Sequence, residues 1–386
     1  MMTSIKGGEA AIAVSHELLA DRRRGDQNFA EMSVEQIREQ LSLAVDRVMT
    51  EGSLYDPQLA ALAVKQAQGD LMEAIFLLRS FRTTLNRFGY SEPLDTGSMT
   101  VRRRIATTHK DVPGGQLLGP TYDYTHRILD FSLMESDGVE SLPDFAALPV
   151  NSDPRPFEHK ESASLAEACG ILARSDLMED LSLQLQDKVE DITRDPIAFP
   201  STRDQRLQNL SRGDEGFLTG LCYSTLRGYG NNHPFIGELR YGDATVVMNI
   251  PELDAPVSIG HVRVTECQTV HLTTGDGSRP PEYTRGYGLL FGHGERKALA
   301  MAILDRSLRA SELGEVRSHP AQNEEFVVSH SDSVSASGLV QHLKLPHYVE
   351  FQAQMQLLQQ LRTEYADRQS KNTAAVNASP EKVGDH

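Results

Sequence analysis

The chain has 386 residues, with 54 acidic against 38 basic side chains and a formal net charge of −16 at pH 7. This balance disfavours a nucleic-acid-binding protein, which needs a basic surface to displace the counterions of a phosphate backbone. There is no apolar run of ~18 residues, no N-terminal secretion signal and no cysteine pattern beyond three distant cysteines, so we expect a cytoplasmic protein with no membrane span, disulfide framework or metal–thiolate site.

The N-terminal region predicts a cluster of helices with clear start and stop signals. A first helix is predicted from about Glu9 to Arg23. Ser33 and Gln36 form a capping-box pattern that opens an apolar series at helical spacing, and Gly52 follows as a stop. Two further helices begin at the capping residues Asp56 and Asp70.

A predicted strand, Met99–Thr108, leads into a loop rich in glycine and proline, Pro113–Arg127, that ends in a short helix. Asp123 and His126 lie in this loop, and catalytic groups concentrate in loops of this kind. Ordinary hydrogen bonding within the loop is the alternative. The acidic stretch 135–200, broken by prolines, is predicted to be a linker or variable insertion with one helix at about Ser162–Ser175.

The rest of the chain mixes strands with helices. We expect a run of strands to about Thr274, with a hairpin turn at Gly242-Asp243. The other predicted elements are a helix from Asp214 to Leu226, a strand Tyr283–Phe291, a helix Glu295–Leu308 and a helix from Tyr348 to about Arg368. The sequence therefore predicts an α+β protein: a helical domain at 1–134, the insertion at 135–200, a mixed helix and antiparallel-sheet domain with a C-terminal helix at 201–368, and a disordered tail at 369–386.

Three short motifs each leave two interpretations open. Arg22, Arg23 and Arg24 follow a helix end, where cations complement the helix dipole, but three in a row also suit a phosphate clamp. The segment Gly286–Lys297 has the strand, glycine turn and helix of an anion-binding site, yet it lacks the P-loop and dinucleotide patterns and is also typical of a structural turn. Asp214 is an N-cap candidate or, with Glu215, an acid–base pair.

His342 and His347 are the most informative pair in the sequence. A separation of five residues misses a shared helix face and falls on opposite faces of a strand. Pro346 forbids a regular helix between them, so both imidazoles reach one ion only if the chain turns there. The alternative is two unrelated histidines at the surface or in packing contacts.

Longer strings resemble a known family, the PhnI subunits of bacterial carbon–phosphorus lyase. The resemblance covers most of the chain outside about 135–200, about 310–320 and the tail. The similar strings are Lys6–Glu9, Arg22–Asp26, Leu41–Gly52, Glu73–Arg79, Ser91–Thr96, Pro113–Arg127, Arg212–Gly216, Arg227–Gly230, Thr284–Gly288 and His342–Tyr348.

The resemblance implies a role in phosphonate breakdown. With its partners, such a subunit transfers the ribose 5-triphosphate of ATP to methylphosphonate and releases adenine; alone, it resembles a nucleosidase acting on ATP or GTP. The implied partners are PhnG, PhnH and PhnJ, together with the ATP-binding-cassette subunits PhnK and PhnL. The iron–sulfur chemistry would belong to a partner chain, which agrees with the lack of a cysteine motif here.

The resemblance also implies roles for particular residues. His342 and His347 would bind Zn²⁺ at an interface with the radical-SAM partner, and Mg²⁺ would accompany ATP. We expect Arg22, Arg23, Arg24 and Arg285 to hold phosphate or phosphonate groups, and Asp123 and His126 to do the acid–base work. The alternative function is a non-catalytic scaffold whose histidines contribute to an interface metal site.

Overall fold

A computed structural model of the chain describes residues 8–134, 168–180, 189–227, 233–253, 255–275 and 280–377. The predicted α+β class is confirmed, because the described residues combine helices with a four-stranded antiparallel sheet. The chain forms two compact units, residues 1–334 and 335–386, so the predicted boundaries at 134 and 200 both fall inside the first unit.

The first unit begins with five helices and a strand, and three further strands then follow one another between the eighth and ninth helices. The helices are α1 (Gly8–Arg24), α2 (Val34–Gln40), α3 (Ser42–Gly52), α4 (Pro57–Gln66), α5 (Leu71–Arg82), α6 (Ala168–Arg174), α7 (Arg203–Arg212), α8 (Glu215–Leu226), α9 (Glu295–Leu308), α10 (Glu324–His330), α11 (Ser333–His342) and α12 (Tyr348–Asn377). The strands are β1 (Thr100–Ile105), β2 (Phe235–Ile250), β3 (Ala255–Thr273) and β4 (Glu282–Phe291). No helix in these described ranges is both long and apolar enough to cross a bilayer.

The N-terminal helices begin where their capping residues predict. Ser33 forms a complete capping box with Gln36, and the carboxylates of Asp56 and Asp70 cap α4 and α5. The single helix predicted from Ser33 to Gly52 is in fact two, since the helix breaks at Leu41 between α2 and α3. The break lets both helices contribute to one core. This core contains Ile37, Val45, Val48, Met49, Val64, Ile75 and Leu78.

The sheet has the strand order β1-β2-β3-β4, and each strand is antiparallel to the next. The predicted hairpin turn at Gly242-Asp243 is wrong, because β2 runs through both residues and turns only after Ile250. Gly242 is needed for a different reason. A Cβ there would lie 2.2 Å from the main-chain oxygen of Thr100, so the glycine allows β1 to pair closely with β2.

One face of the sheet packs against α9 through two glycines of β4. A Cβ at Gly286 would lie 2.0 Å from the main-chain oxygen of Ala302, and one at Gly288 would lie 2.4 Å from that of Ala298. The glycines and the alanines of α9 thus bring helix and strand into close contact. Leu304, Met301 and Leu290 complete this core.

The opposite face of the sheet carries buried ion pairs. Arg104 of β1 pairs with Glu238 of β2, and Arg240 of β2 pairs with Glu266 on the neighbouring strand β3. All four side chains are at most 3% exposed. The Glu266 carboxylate also accepts a 2.9 Å hydrogen bond from the Tyr287 hydroxyl, so these buried charges have polar partners.

The second unit consists of most of α11, the turn after it and α12. Helix α11 ends at His342 and α12 begins at Tyr348, so the chain turns around Pro346 as predicted. Helix α12 continues to Asn377, past the predicted end near Arg368, and the first part of the predicted disordered tail is therefore helical. Residues 378–386 lie outside the described chain, as do residues 162–167 of the helix predicted at Ser162–Ser175.

Candidate functional site

A cleft of about 1760 Å³ lies between α3, the predicted catalytic loop Pro113–Arg127 and the start of α9. It exceeds the ~300–1,000 Å³ of most small-molecule sites, so it has room for a nucleotide and a second substrate. Many of its charged side chains are cations, although the whole chain is acidic. These are Arg47, Arg102, Arg103, Arg127, Arg263, Arg296 and Lys297.

The structure brings both predicted acid–base residues, Asp123 and His126, to this cleft. Asp123 lies in a short 3-10 turn capped by Thr121. Its carboxylate accepts a hydrogen bond from Arg103, and the more exposed Arg127 lies 3.4 Å away. His126 is exposed on the same loop. Both residues therefore line one cleft, and their assignment to acid–base work stays a prediction.

Arg103 connects the loop, the sheet and α9 in one network. Its side chain is fully buried, and its guanidinium donates to Asp123, to Glu295 at the start of α9 and to the main-chain oxygen of Leu118. Burial alone would raise the pKa of Glu295, but hydrogen bonds from His293 and Arg103 outweigh burial and hold the pKa below its ordinary value. Glu295 is consequently an ionised group in the cleft wall.

The turn Gly292–His293–Gly294 carries the second part of the network. Gly292 has a φ of 68°, and a Cβ there would lie 2.2 Å from Cγ of Asp46 on α3, so only glycine fits. The His293 N–H donates to Asp46 at 2.9 Å, and the His293 ring lies 3.2 Å from Glu295 and stacks on Tyr241 with centroids 4.3 Å apart. This turn therefore binds an internal carboxylate, in place of the external anion considered from the sequence.

The first turn of α9 faces the cleft without a side-chain cap. The main-chain N–H of its N-cap, Gly294, donates to the Thr265 hydroxyl at 3.1 Å. The next residues, Glu295, Arg296 and Lys297, all line the cleft. A helix start of this kind presents N–H groups and a positive dipole end, which favours negatively charged groups nearby.

A buried ion pair, Lys297 with Glu51 of α3, lies behind this helix start. The Lys297 Nζ and Glu51 Oε1 atoms are 3.2 Å apart, and both side chains are at most 3% exposed. Burial lowers the pKa of Lys297 to about 8, although the nearby Glu51 carboxylate opposes the shift. Glu51 also accepts hydrogen bonds from Arg47 and from the main-chain N–H of Glu215.

In the second unit, the His342 and His347 rings lie with their centroids 4.7 Å apart and their planes at 61°. The His347 ring nitrogens contact the main-chain oxygen of His342 and the Glu350 carboxylate, each at 3.1 Å. Within the described residues no group of three or more His, Cys, Asp or Glu side chains could hold a metal ion. The two imidazoles, with a carboxylate behind one of them, would form part of a zinc site if Nε2 of His347 left the main-chain oxygen of His342, and the remaining ligands would come from water, phosphate or a partner.

Comparison with known proteins identifies the family. The sequence model of the family described as "Bacterial phosphonate metabolism protein (PhnI)" matches residues 1–365. The chain belongs to the PhnI family. It is 54% identical over 366 residues to the "Alpha-D-ribose 1-methylphosphonate 5-triphosphate synthase subunit PhnI" of Rhizobium meliloti (strain 1021), covering 95% of this chain and 96% of that protein.

Two further relatives agree with this assignment. The protein of the same name from Escherichia coli (strain K12) is 52% identical over 367 residues, covering 94% of this chain and 99% of that protein. A Stutzerimonas stutzeri protein, provisionally named as the C-P lyase subunit HtxH, is 40% identical over 357 residues, covering 92% of this chain and 94% of its own length. The resemblance read from the sequence strings is thus confirmed at the level of the PhnI family.

The predicted phosphate-binding arginines lie away from the cleft in this PhnI-family chain. Arg22, Arg23 and Arg24 form the last turn of α1, and Arg24 donates to the main-chain oxygens of Asp26 and Phe29. Arg285 lies on β4, outside the cleft lining, where its main chain contacts Glu179 and Arg309. Their assignment to phosphate groups stays a prediction.

Sequence reasoning missed most of the cleft wall. It considered Asp214 as an N-cap or an acid–base residue, and the carboxylate does cap α8 while pairing with Arg47. It gave no role to Asp46, Arg103 or Glu295. The run Arg102–Arg104 was a usable signal, because alternating strand residues send Arg103 and Arg104 to opposite faces and one of them had to meet the cleft.

Proposed function

We propose that this chain is a catalytic subunit of α-D-ribose 1-methylphosphonate 5-triphosphate synthase in the cytoplasm, within the carbon–phosphorus lyase assembly. In this reaction the ribose 5-triphosphate of ATP passes to methylphosphonate and adenine leaves. Two relatives that share more than half of their residues with this chain carry the name of that synthase. The large cleft, whose lining has seven basic and five acidic side chains and includes both Asp123 and His126, is the observation that supports a catalytic role.

The cleft offers groups for each part of the transfer. The uncapped start of α9, with Arg296 and Arg127 near it in the lining, suits the triphosphate, which Mg²⁺ accompanies. As the glycosidic bond breaks, the sugar gains oxocarbenium character, and the ionised Glu295 is placed in the wall to stabilise positive charge. Asp123 and His126 are proposed to handle the protons of the attacking oxygen.

We also propose that the chain alone hydrolyses ATP or GTP at the glycosidic bond, since water can replace the phosphonate as the attacking group. The test is to incubate the purified full-length chain with ATP and follow free adenine by chromatography. Adenine and ribose 5-triphosphate in equal amounts support the proposal. Release of phosphate with no adenine would contradict it.

The metal site is proposed separately. A zinc ion bound by His342 and His347 would supply a Lewis-acidic site for phosphate or phosphonate oxygens. We expect the double variant His342→Ala/His347→Ala to lose bound zinc, measured by elemental analysis, and to impair the assembled complex more than base release by the isolated chain. Equal loss of both activities would argue against this division of roles.

The second candidate function is a scaffold, and α12 favours it. Several large apolar side chains of this helix are exposed, as expected of a surface that a partner subunit covers. They include Phe351, Met355, Leu358, Leu361 and Tyr365. A scaffold would assemble with partners such as PhnG, PhnH, PhnJ, PhnK and PhnL yet release no adenine alone, so the base-release assay separates the two candidates.

A further inference from the structure

Asp46 is a buried carboxyl group at the edge of the cleft that the proposed transfer does not yet use. It lies on α3, is 7% exposed and belongs to the cleft lining. Within the described chain its carboxylate receives one hydrogen bond, from the His293 N–H to Oδ2 at 2.9 Å. The close approach of Gly292 fixes its position, since the space for a Cβ at that glycine is filled by the Asp46 carboxyl group.

The surroundings of Asp46 favour its neutral form. Burial raises the pKa of Asp46 above its ordinary value, and the His293 N–H, Arg263 and the His293 ring only partly oppose the shift. Tyr241, the other titratable group next to it, stacks on His293. A carboxyl group whose pKa is raised holds its proton to a higher pH than an ordinary aspartate does, which suits it to deliver that proton.

Glu295 provides the contrast. Both carboxyl groups contact His293, Asp46 through the main-chain N–H and Glu295 through the ring. Hydrogen bonds from Arg103 and His293 hold the pKa of Glu295 below its ordinary value, whereas burial raises that of Asp46. Two carboxyl groups in one cleft whose pKa values are shifted in opposite directions are typical of an acid and an ionised partner.

The cleft next to Asp46 also suits a purine. Leu43 lies one helical turn before Asp46 on α3, and Phe291 ends β4 immediately before the turn that holds Asp46; both line the cleft. Phe291 is fixed by a 2.9 Å hydrogen bond from the Thr50 hydroxyl to its main-chain oxygen. Apolar side chains beside a polar group that can donate a proton suit a flat heterocyclic base.

We propose that Asp46 is the general acid that protonates the departing purine. This inference rests on the proposed function. The bond between the anomeric carbon and the purine nitrogen breaks, its electron pair goes to the base, and the Asp46 proton moves to a ring nitrogen so that neutral adenine leaves. An oxygen of methylphosphonate, or of water, forms the new bond to the anomeric carbon. In the hydrolysis the proton of water passes through Asp123 or His126 to solvent, and Asp46 regains a proton from solvent through the cleft.

The test compares two leaving groups in the full-length chain, alone and in its assembled complex. Asp46→Asn keeps the shape and the acceptor for the His293 N–H but has no acidic proton. We expect adenine release from ATP to fall about 100- to 10,000-fold, the range for loss of a general acid. Cleavage of a nitrophenyl riboside triphosphate, whose leaving group needs no proton, should change less than about threefold, and ATP affinity measured by calorimetry should be retained.

Each outcome decides the proposal. Equal loss with both substrates would make Asp46 a positioning or binding residue, and unchanged adenine release would remove it from the reaction while the proposed function stands. A wild-type chain that releases no adenine, alone or in the complex, overturns both. If the variant does not fold, wild-type pH profiles give the answer. Adenine release should fall as pH rises through the Asp46 pKa while nitrophenyl cleavage does not, and identical profiles would refute the acid role.

Discussion

Replacing Lys297 by methionine probes the energetics of the cleft wall. At pH 7 the wild type buries both charges of the Glu51–Lys297 pair, with 3.2 Å between Nζ and Oε1. Methionine keeps the length of the side chain but leaves the fully buried Glu51 with Arg47 and the Glu215 N–H as its donors among the described residues. Leaving one partner of a buried pair charged without the other costs about 3–5 kcal/mol, so we expect the free energy of unfolding of Lys297→Met to lie about 3 kcal/mol below that of Glu51→Gln/Lys297→Met, in which both charges are removed.

The double variant Glu51→Gln/Lys297→Met is the matched control, because it removes both charges. At pH 7 it should be more stable than the wild type by up to about 3 kcal/mol, since the lowered pKa of Lys297 means that burying the ammonium is unfavourable even beside Glu51, and neutral replacement of a whole pair is often neutral or stabilising. The assay is equilibrium unfolding in urea at pH 7 for the wild type, both single variants and the double variant. A coupling energy below about 0.5 kcal/mol would refute the argument, because it would mean that the two charges do not depend on each other.

The pH dependence of the free energy of unfolding is a second test of the Glu51–Lys297 pair. The unfolded lysine keeps its proton to about pH 10.5, whereas the folded Lys297 releases it near pH 8. Between these values the unfolded state binds more protons, so wild-type stability rises with pH by up to about 3 kcal/mol relative to the double variant. The comparison cancels the titration of other groups. Parallel pH profiles for the two proteins would contradict the lowered pKa.

Three further predictions concern other parts of the first unit. Gly286→Ala should destabilise the fold by about 3 kcal/mol in urea unfolding, because its Cβ would lie 2.0 Å from a main-chain oxygen of α9. The control Gly220→Ala, whose Cβ would have no atom of the described residues within 4 Å, should not destabilise the fold. Equal effects of the two substitutions would contradict the close packing of β4 on α9. Burial lowers the pKa of His271 to about 3, so below pH 6.5 the unfolded state binds more protons than the folded state. The free energy of unfolding of the wild type should therefore fall by about 2 kcal/mol from pH 7 to pH 5, and His271→Gln should not show this loss. Arg103→Met should free the loop that carries Asp123 and lower the rate of adenine release from ATP at least tenfold. An unchanged rate of adenine release would mean that the Arg103 network is not needed for activity.

The sequence predicts the local features of the fold well, because their signals lie within a few residues. The caps at Ser33, Asp56, Asp70 and Asp214 all start helices, since each side chain contacts main-chain N–H groups two or three residues later. The prediction of a hairpin turn at Gly242 is wrong because the reason for this glycine is not local. That glycine is explained by Thr100, a residue far away in the chain, and no local pattern reports such a contact.

In the candidate site, too, residues with a local sequence signal could be predicted and residues that depend on distant contacts could not. Asp123 and His126 could be named as candidates because their loop is rich in glycine and polar residues, and His342 and His347 because one shared ion requires a turn at Pro346. Asp46 could not be found, since on the sequence it is a polar position of an amphipathic helix. Only the approach of Gly292 and His293 from the end of β4 makes it a buried group in a cleft.

The buried ion pairs of the sheet have a consequence for how the strands align. Arg104, Glu238, Arg240 and Glu266 all project from the same side of three adjacent strands. If one strand slipped by a single residue, its charged side chains would point to the apolar face of the sheet that packs against α9. Their partners on the neighbouring strand would then be left without a counter-ion. A misaligned pairing therefore has a large electrostatic cost, and the four charges favour the observed register of β1, β2 and β3 over registers shifted by one residue.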